Sequence, residues 1–72
     1  MKKVLYIITY YHEDGDCTTS YAIIARDIDY AFRILDDKRS WSKDDKRVKY
    51  AIILAGISDD TPSAIVWTDD PN

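Results

Sequence analysis

His12 and Cys17 are the residues of the chain best suited to nucleophilic catalysis, and each residue type occurs once. They flank a turn-forming segment, and a hairpin would bring the cysteine thiol beside the imidazole base that such a nucleophile needs. The sequence shows no third group to orient the base and no oxyanion site. Because such pairs seldom lie on an exposed hairpin tip, a solvated turn is favoured, and the chain is predicted not to be an enzyme.

The carboxylates of the run Glu13-Asp14-Gly15-Asp16 are hard oxygen ligands of the kind that binds calcium. The full twelve-position calcium loop with its terminal bidentate glutamate is absent, however. One cysteine and one histidine cannot complete a four-ligand zinc site, and one cysteine excludes an intramolecular disulfide. The sequence therefore predicts neither a metal site nor a cofactor.

Basic charge is concentrated in the segment 38–49, which carries six basic residues and two acidic ones, whereas the rest of the chain carries four and eleven. Trp41, Lys46 and Arg47 in this segment have the chemistry to stack on and pair with nucleic acid. The alternative function is therefore a nucleic-acid-binding module that uses this basic loop. A net charge of −3 disfavours it, because affinity for nucleic acid comes mainly from cations that neutralise phosphates.

Pairs of aspartates at 36–37, 44–45, 59–60 and 69–70 lie in predicted loops and at element ends, where solubility and turn formation explain them. The functional alternative is an acidic surface, with Asp59 and Asp60 as its representatives. Such a surface would occupy a nucleic-acid-binding groove on another protein, since complementary charge speeds association. Trp41 is either a hydrophobic plug beneath its loop or an anchor in a protein interface.

Four strands and one helix are predicted to position these residues. The strands are rich in β-branched and aromatic residues, and Asp14-Gly15 is a strong hairpin turn between the first two. The helix has an apolar stripe formed by Ile28, Ala31, Phe32 and Leu35, with Asp27 as its N-cap. The predicted elements are strands Lys3–Tyr11, Thr18–Ala25, Val48–Ile57 and Ser63–Thr68 and the helix Asp27–Asp37.

The element order β-β-α-β-β predicts a single α+β domain over residues 1–72, with a four-stranded antiparallel sheet and one helix packed on one face. One helix cannot cover both sides of four strands, so aromatic residues are expected on the open side. We expect this exposed patch to contact a protein partner or a second copy of the chain, because a domain of this size has little stability margin. The patch is predicted to contain aliphatic residues and several aromatic ones, and the candidate partner-binding aromatic residues are Tyr6, Tyr10, Tyr21, Tyr50 and Trp67.

The layout of the chain, with KKVLYIITYY at its start, a short DIDYAFRIL helix, two further strands and an acidic balance, resembles small phage-encoded inhibitors such as anti-CRISPR proteins. The resemblance covers the whole chain and transfers no site residue. It implies a non-enzymatic protein that binds a host nuclease complex and blocks nucleic-acid access or assembly.

No apolar run approaches the roughly 18 residues of a membrane span, and the apolar start is too short and tyrosine-rich for a signal peptide. A cytoplasmic protein that does not contact a membrane is expected.

Overall fold

The computed structural model describes most of the chain, namely residues 2–11, 18–38 and 47–69. The predicted Asp14-Gly15 turn, the His12 and Cys17 pair, Trp41 and Lys46 lie outside the described residues. Arg47 begins a strand, and only its backbone is described.

The described elements are four strands and one helix in the predicted order. They are β1 (Lys3–Tyr11), β2 (Thr18–Ala25), α1 (Ile28–Lys38), β3 (Arg47–Ile57) and β4 (Ala64–Thr68). All bounds agree with the sequence prediction to within one residue. The predicted α+β class, with a four-stranded antiparallel sheet and one helix packed against it, is confirmed.

The strand order is β3-β1-β2-β4, so the first hairpin forms the middle of the sheet and the last two strands form its edges. Because β3 and β4 lie on opposite edges, the connection 58–63 must cross the ends of the two middle strands, a span of roughly 14 Å.

Lys3, at the start of β1, holds this crossing connection in place. Its ammonium group donates hydrogen bonds to the carbonyl oxygens of Asp59, at 2.9 Å, and of Thr61. The connection is further tightened by the Thr61 N–H, which donates to the Ser58 carbonyl at 2.9 Å. A lysine in the first strand thus anchors the path between the last two.

Helix α1 begins as the sequence predicts, with Asp27 as its N-cap. The Tyr30 N–H donates to the Asp27 carboxylate at 2.8 Å, and the Ala31 N–H donates to the Asp27 carbonyl at 3.1 Å. The capping side chain therefore accepts a hydrogen bond from one N–H group of the first turn that has no partner within the helix. Ala31 and Leu35 are fully buried, whereas Phe32 is partly exposed.

The core lies between α1 and one face of the sheet. In β1 burial alternates, and the even-numbered residues Tyr6, Ile8 and Tyr10 point towards the helix. The core consists of Tyr6, Ile8, Tyr10, Tyr21, Ile23 and Ala25 from the sheet and Ala31 and Leu35 from the helix.

The prediction that Tyr6, Tyr10 and Tyr21 belong to an exposed patch is wrong. All three are at most 6% exposed, and the rings of Tyr10 and Tyr21 stack at a centroid distance of 6.0 Å. The two-residue period correctly groups each tyrosine with its neighbours on one face, but it does not say which face the helix covers. The helix covers the tyrosine face.

Strand β3 contains two irregularities in its pairing with β1. The register skips Ile53 and Gly56, and Gly56 has a φ of 81°, as in bulges that place a glycine in the left-handed region. The bulge at Ile53 moves Leu54 to the opposite face from Tyr50 and Ile52. Simple alternation along the strand would place these three residues on one face, and the bulge is the reason that they do not share it.

Candidate functional site

The side of the sheet opposite α1, which we call the far face, is apolar in its central part. Residues that pair across neighbouring strands share a face, so the register defines rows that run across the sheet. Two adjacent rows carry only apolar residues, and we call them the apolar rows. One row is Leu54, Leu5, Ile24 and Ala64, and the other is Ala51, Ile7, Ala22 and Trp67.

The apolar rows are most exposed where they reach the edges of the sheet. Leu54 on β3 is 56% exposed and Trp67 on β4 is 52% exposed, while Leu5, Ile7 and Ile24 in the middle are partly exposed. The helix packs mainly against β2 and β4 from the other side, and among the described elements none lies over the far face. These rows therefore form an apolar surface that is exposed or partly exposed except at Ala22, which is buried.

Polar residues border this surface on one side. The next row contains Lys49, Thr9 and Ser20, and the Thr9 and Ser20 hydroxyls are hydrogen-bonded at 2.8 Å. The Lys49 ammonium lies 5.9 Å from the centroid of the Tyr11 ring, within the range of a cation–π contact. An apolar centre with a polar border is the usual anatomy of a protein interface.

The two predicted aromatic residues that are exposed do not share a face. Tyr50 belongs to the helix side of β3, where its ring packs edge-on against Tyr6 at a centroid distance of 6.1 Å and remains 52% exposed. Trp67 belongs to the far face. The single aromatic patch predicted from the sequence is therefore absent from the described residues, and aliphatic residues form most of the exposed apolar surface.

The predicted acidic residues Asp59 and Asp60 lie in the crossing connection and are exposed. The backbone of Asp59 receives the Lys3 hydrogen bond, and the Asp60 N–H donates to the Ser58 hydroxyl at 3.3 Å. These contacts fit the role of turn formation, and neither aspartate lies in the apolar rows.

Aliphatic residues were expected in the exposed patch, but the sequence did not identify those of the edge strands as site residues. Ile52, Ile53 and Leu54 on β3 and Val66 on β4 are each more than half exposed. The run AIIL in β3 is apolar on both faces, which is typical of a strand in the middle of a sheet. The structure places this run on an edge, and only knowledge of the strand order would have revealed it.

The phenol of Tyr6, a core residue, has a raised pKa. Burial raises the pKa of its phenol above 10.0, and the Asp27 carboxylate and Tyr50 raise it further. The hydroxyl is thus held in its neutral form near neutral pH.

Within residues 2–11, 18–38 and 47–69, no three histidine, cysteine or acidic side chains are grouped so as to hold a metal ion. In the same part of the chain, no helix has the length and apolarity needed to cross a bilayer.

No protein-family model matches the sequence, and no curated protein and no solved structure is significantly similar to it. The arrangement of the apolar rows and the sheet edges is therefore what bears on function.

Proposed function

We propose that this chain is a non-enzymatic binding protein that regulates a larger macromolecular complex by docking its far face on a protein partner. The observation that carries the proposal is the pair of apolar rows, eight residues without a charge and with no described element over them. Removing apolar surface from water contributes about 25 cal/mol per Å². Covering this apolar surface with a second protein surface therefore contributes a favourable free energy of binding.

A protein partner fits the far face better than a nucleic acid does. The described cations next to the apolar rows are Lys3, which is engaged with the crossing connection, and Lys49, which lies against Tyr11. Binding to nucleic acid relies on several cations that contact phosphates, and its affinity falls steeply with salt. The alternative, a nucleic-acid-binding module that uses segment 38–49, is supported by the exposed Lys38 and Lys49 at its ends.

The resemblance of the sequence layout to small phage-encoded inhibitors supports a host nuclease complex as the partner, and the cytoplasm as the compartment. In this proposal the chain inhibits by occupying a surface that the complex needs for assembly or for access of nucleic acid. Inhibition by occupancy requires no catalytic group on the chain, which agrees with the prediction that it is not an enzyme.

The experiment uses two substitutions on the far face, Trp67→Ala and Ile24→Thr, with Val66→Ala as a matched control. Val66 is as exposed as Trp67 and lies on the same strand, but the β2 register skips it, so it belongs to neither apolar row. A partner is first recovered from a host lysate and identified, and its affinity for each variant is then measured by calorimetry.

We expect Trp67→Ala to weaken binding about tenfold or more, because truncating a tryptophan at an interface hot spot costs about 2 kcal/mol or more. Ile24→Thr should also weaken binding, because it places a hydroxyl group in the apolar contact. Val66→Ala should bind as the parent chain does. A negative heat-capacity change should accompany binding, since apolar surface is buried. Failure to recover a partner at low salt, or equal affinity for all variants, would contradict the proposal. A steep fall of affinity for single-stranded oligonucleotides with salt would instead favour the alternative.

A further inference from the structure

Strand β3 is an edge strand that is unusually long and apolar. It spans Arg47–Ile57, and within the described part of the chain no strand pairs with its outer side. Four of the six large hydrophobic residues that the described structure exposes belong to it, and they lie on both of its faces: Tyr50, Ile52, Ile53 and Leu54. The helix does not shield them, because it packs mainly against β2 and β4.

Edge strands normally carry features that prevent pairing with other chains, such as short length, charge, proline or bulges. The opposite edge, β4, is five residues long. In β3 the bulges at Ile53 and Gly56 protect only the second half, and the segment 48–52 pairs with β1 in unbroken register. Lys49 is the single charged residue of that segment. The first half of β3 is therefore a regular, mostly apolar edge open to pairing.

We propose that the β3 edge is occupied by β3 of a second copy of the chain, paired antiparallel about a two-fold axis at Tyr50. The two four-stranded sheets then form one continuous eight-stranded sheet with both helices on the same side. A two-fold axis perpendicular to the sheet generates this arrangement, and closed two-fold dimers are the commonest soluble oligomers.

The position of the axis follows from the regular segment and its side chains. Centring the pair on Tyr50 places all of 48–52 opposite the same segment of the second copy, clear of both bulges. Tyr50 then faces Tyr50, Val48 faces Ile52, and Lys49 faces Ala51. Aromatic and β-branched pairs of this type stabilise sheets, and centring the pair on Lys49 would oppose like charges.

The exposed large side chains of β3 supply about half of the area that a standard dimer interface buries. The four large side chains of β3 are 52% to 62% exposed. At on the order of 100 Å² for each, they offer roughly 400 Å² per copy. A standard stable interface buries about 800 Å² per partner. Ala51, within the paired segment, is also exposed and adds to this area together with the open backbone of the strand. The interface is therefore a small one of the weakly associating class, and we expect the dimer to depend on chain concentration.

The first test measures the mass of the purified chain in solution by light scattering at micromolar concentration. We expect twice the chain mass of 8.4 kDa, and the chain mass itself for Ile52→Lys. Ile52 is 62% exposed, so the lysine does not disturb the core. Val66→Lys, the same change on the opposite edge, should remain a dimer. A monomeric parent chain, or a dimer that Val66→Lys and not Ile52→Lys dissociates, would overturn the proposal.

The second test locates the axis by disulfide cross-linking with oxidised glutathione in a Cys17→Ser background. Paired Cα atoms of antiparallel strands lie about 4.5 to 5.5 Å apart, within disulfide range. An equimolar mixture of Lys49→Cys chains and Ala51→Cys chains should therefore cross-link, while each variant alone should not, because its own cysteines lie two residues out of register. Cross-linking of Ala51→Cys alone would overturn the axis at Tyr50. These tests need no partner protein, so their failure is distinct from failure of the proposed function.

Discussion

At the scale of the residue, the most informative positions are those where the environment, rather than the residue type, decides the role. Six tyrosines occur in the chain, and four of them were expected to bind a partner. Tyr6, Tyr10 and Tyr21 are core residues, whereas Tyr50 is exposed on the edge. The aromatic type alone therefore does not identify a contact surface. Gly56 is a position where residue type and environment do agree, since residues other than glycine rarely adopt its φ of 81°.

Gly56→Ala should lower the free energy of unfolding by about 1 to 2 kcal/mol, because a β-carbon disfavours the left-handed region. No atom lies within 4 Å of the position that a β-carbon would take, so the loss comes from backbone strain and not from a clash. Gly56→Asn, which tolerates this region better, is the matched comparison and should lose less. Urea denaturation measures both. Equal losses in the two variants would point to a different cause.

Tyr6 should make the protein less stable in alkaline solution. Its folded pKa lies above 10.0 through burial, with Asp27 and Tyr50 as further causes. Above pH 10 the unfolded chain releases this proton while the folded chain keeps it, so stability falls as pH rises and is unaffected below that range. Tyr6→Phe should flatten this fall in urea denaturation from about pH 8 to about pH 11. Tyr11→Phe, on the opposite face, controls for loss of a hydroxyl, and a Tyr6→Phe curve parallel to the parent curve would refute the assignment.

At the scale of the element, local patterns predicted the helix and all four strands to within one residue. The cap at Asp27, the apolar stripe of α1 and the two-residue period of β1 depend on neighbours in sequence, so they can be recognised without the fold. The bulge at Ile53 could not be recognised from the sequence, because a bulge is defined by the pairing with the partner strand. The reversed facing of Leu54 is the direct consequence.

Within α1, Leu35→Ala should destabilise the protein more than Phe32→Ala. Leu35 is fully buried in the core, whereas Phe32 packs against the core and is partly exposed. Truncation of a buried leucine costs about 2 to 5 kcal/mol, and part of the phenylalanine penalty is avoided where the side chain already meets water. Urea denaturation ranks the two variants, with Arg33→Ala on the exposed side as control. The reverse order would mean that α1 is rotated about its axis relative to the sheet.

At the scale of the whole molecule, the strand order is what the sequence could not supply. Apolar residues on both faces of β3 are typical of a strand in the middle of a sheet, whereas the structure places β3 on an edge with its first half open. The two observations agree if a strand of another chain pairs with the open edge of β3. Pairing through β3 would also align the far faces of the two copies, so that one dimer offers two sets of apolar rows on a continuous surface. A partner that contacts both sets gains affinity through effective concentration without any new type of contact.

Thermal unfolding should then depend on protein concentration. When folding is coupled to dimer formation, mass action stabilises the folded state as the chain concentration rises. Each tenfold increase contributes about 1.4 kcal/mol per dimer, shared between two chains, and should raise the Tm by roughly 3 to 5 °C for a domain of this size. Scanning calorimetry over two decades of concentration measures this slope. Ile52→Lys should abolish it and Val66→Lys should leave it intact. A Tm that is independent of concentration in the parent chain would mean that the chain unfolds as a monomer, with the outer edge of β3 unpaired.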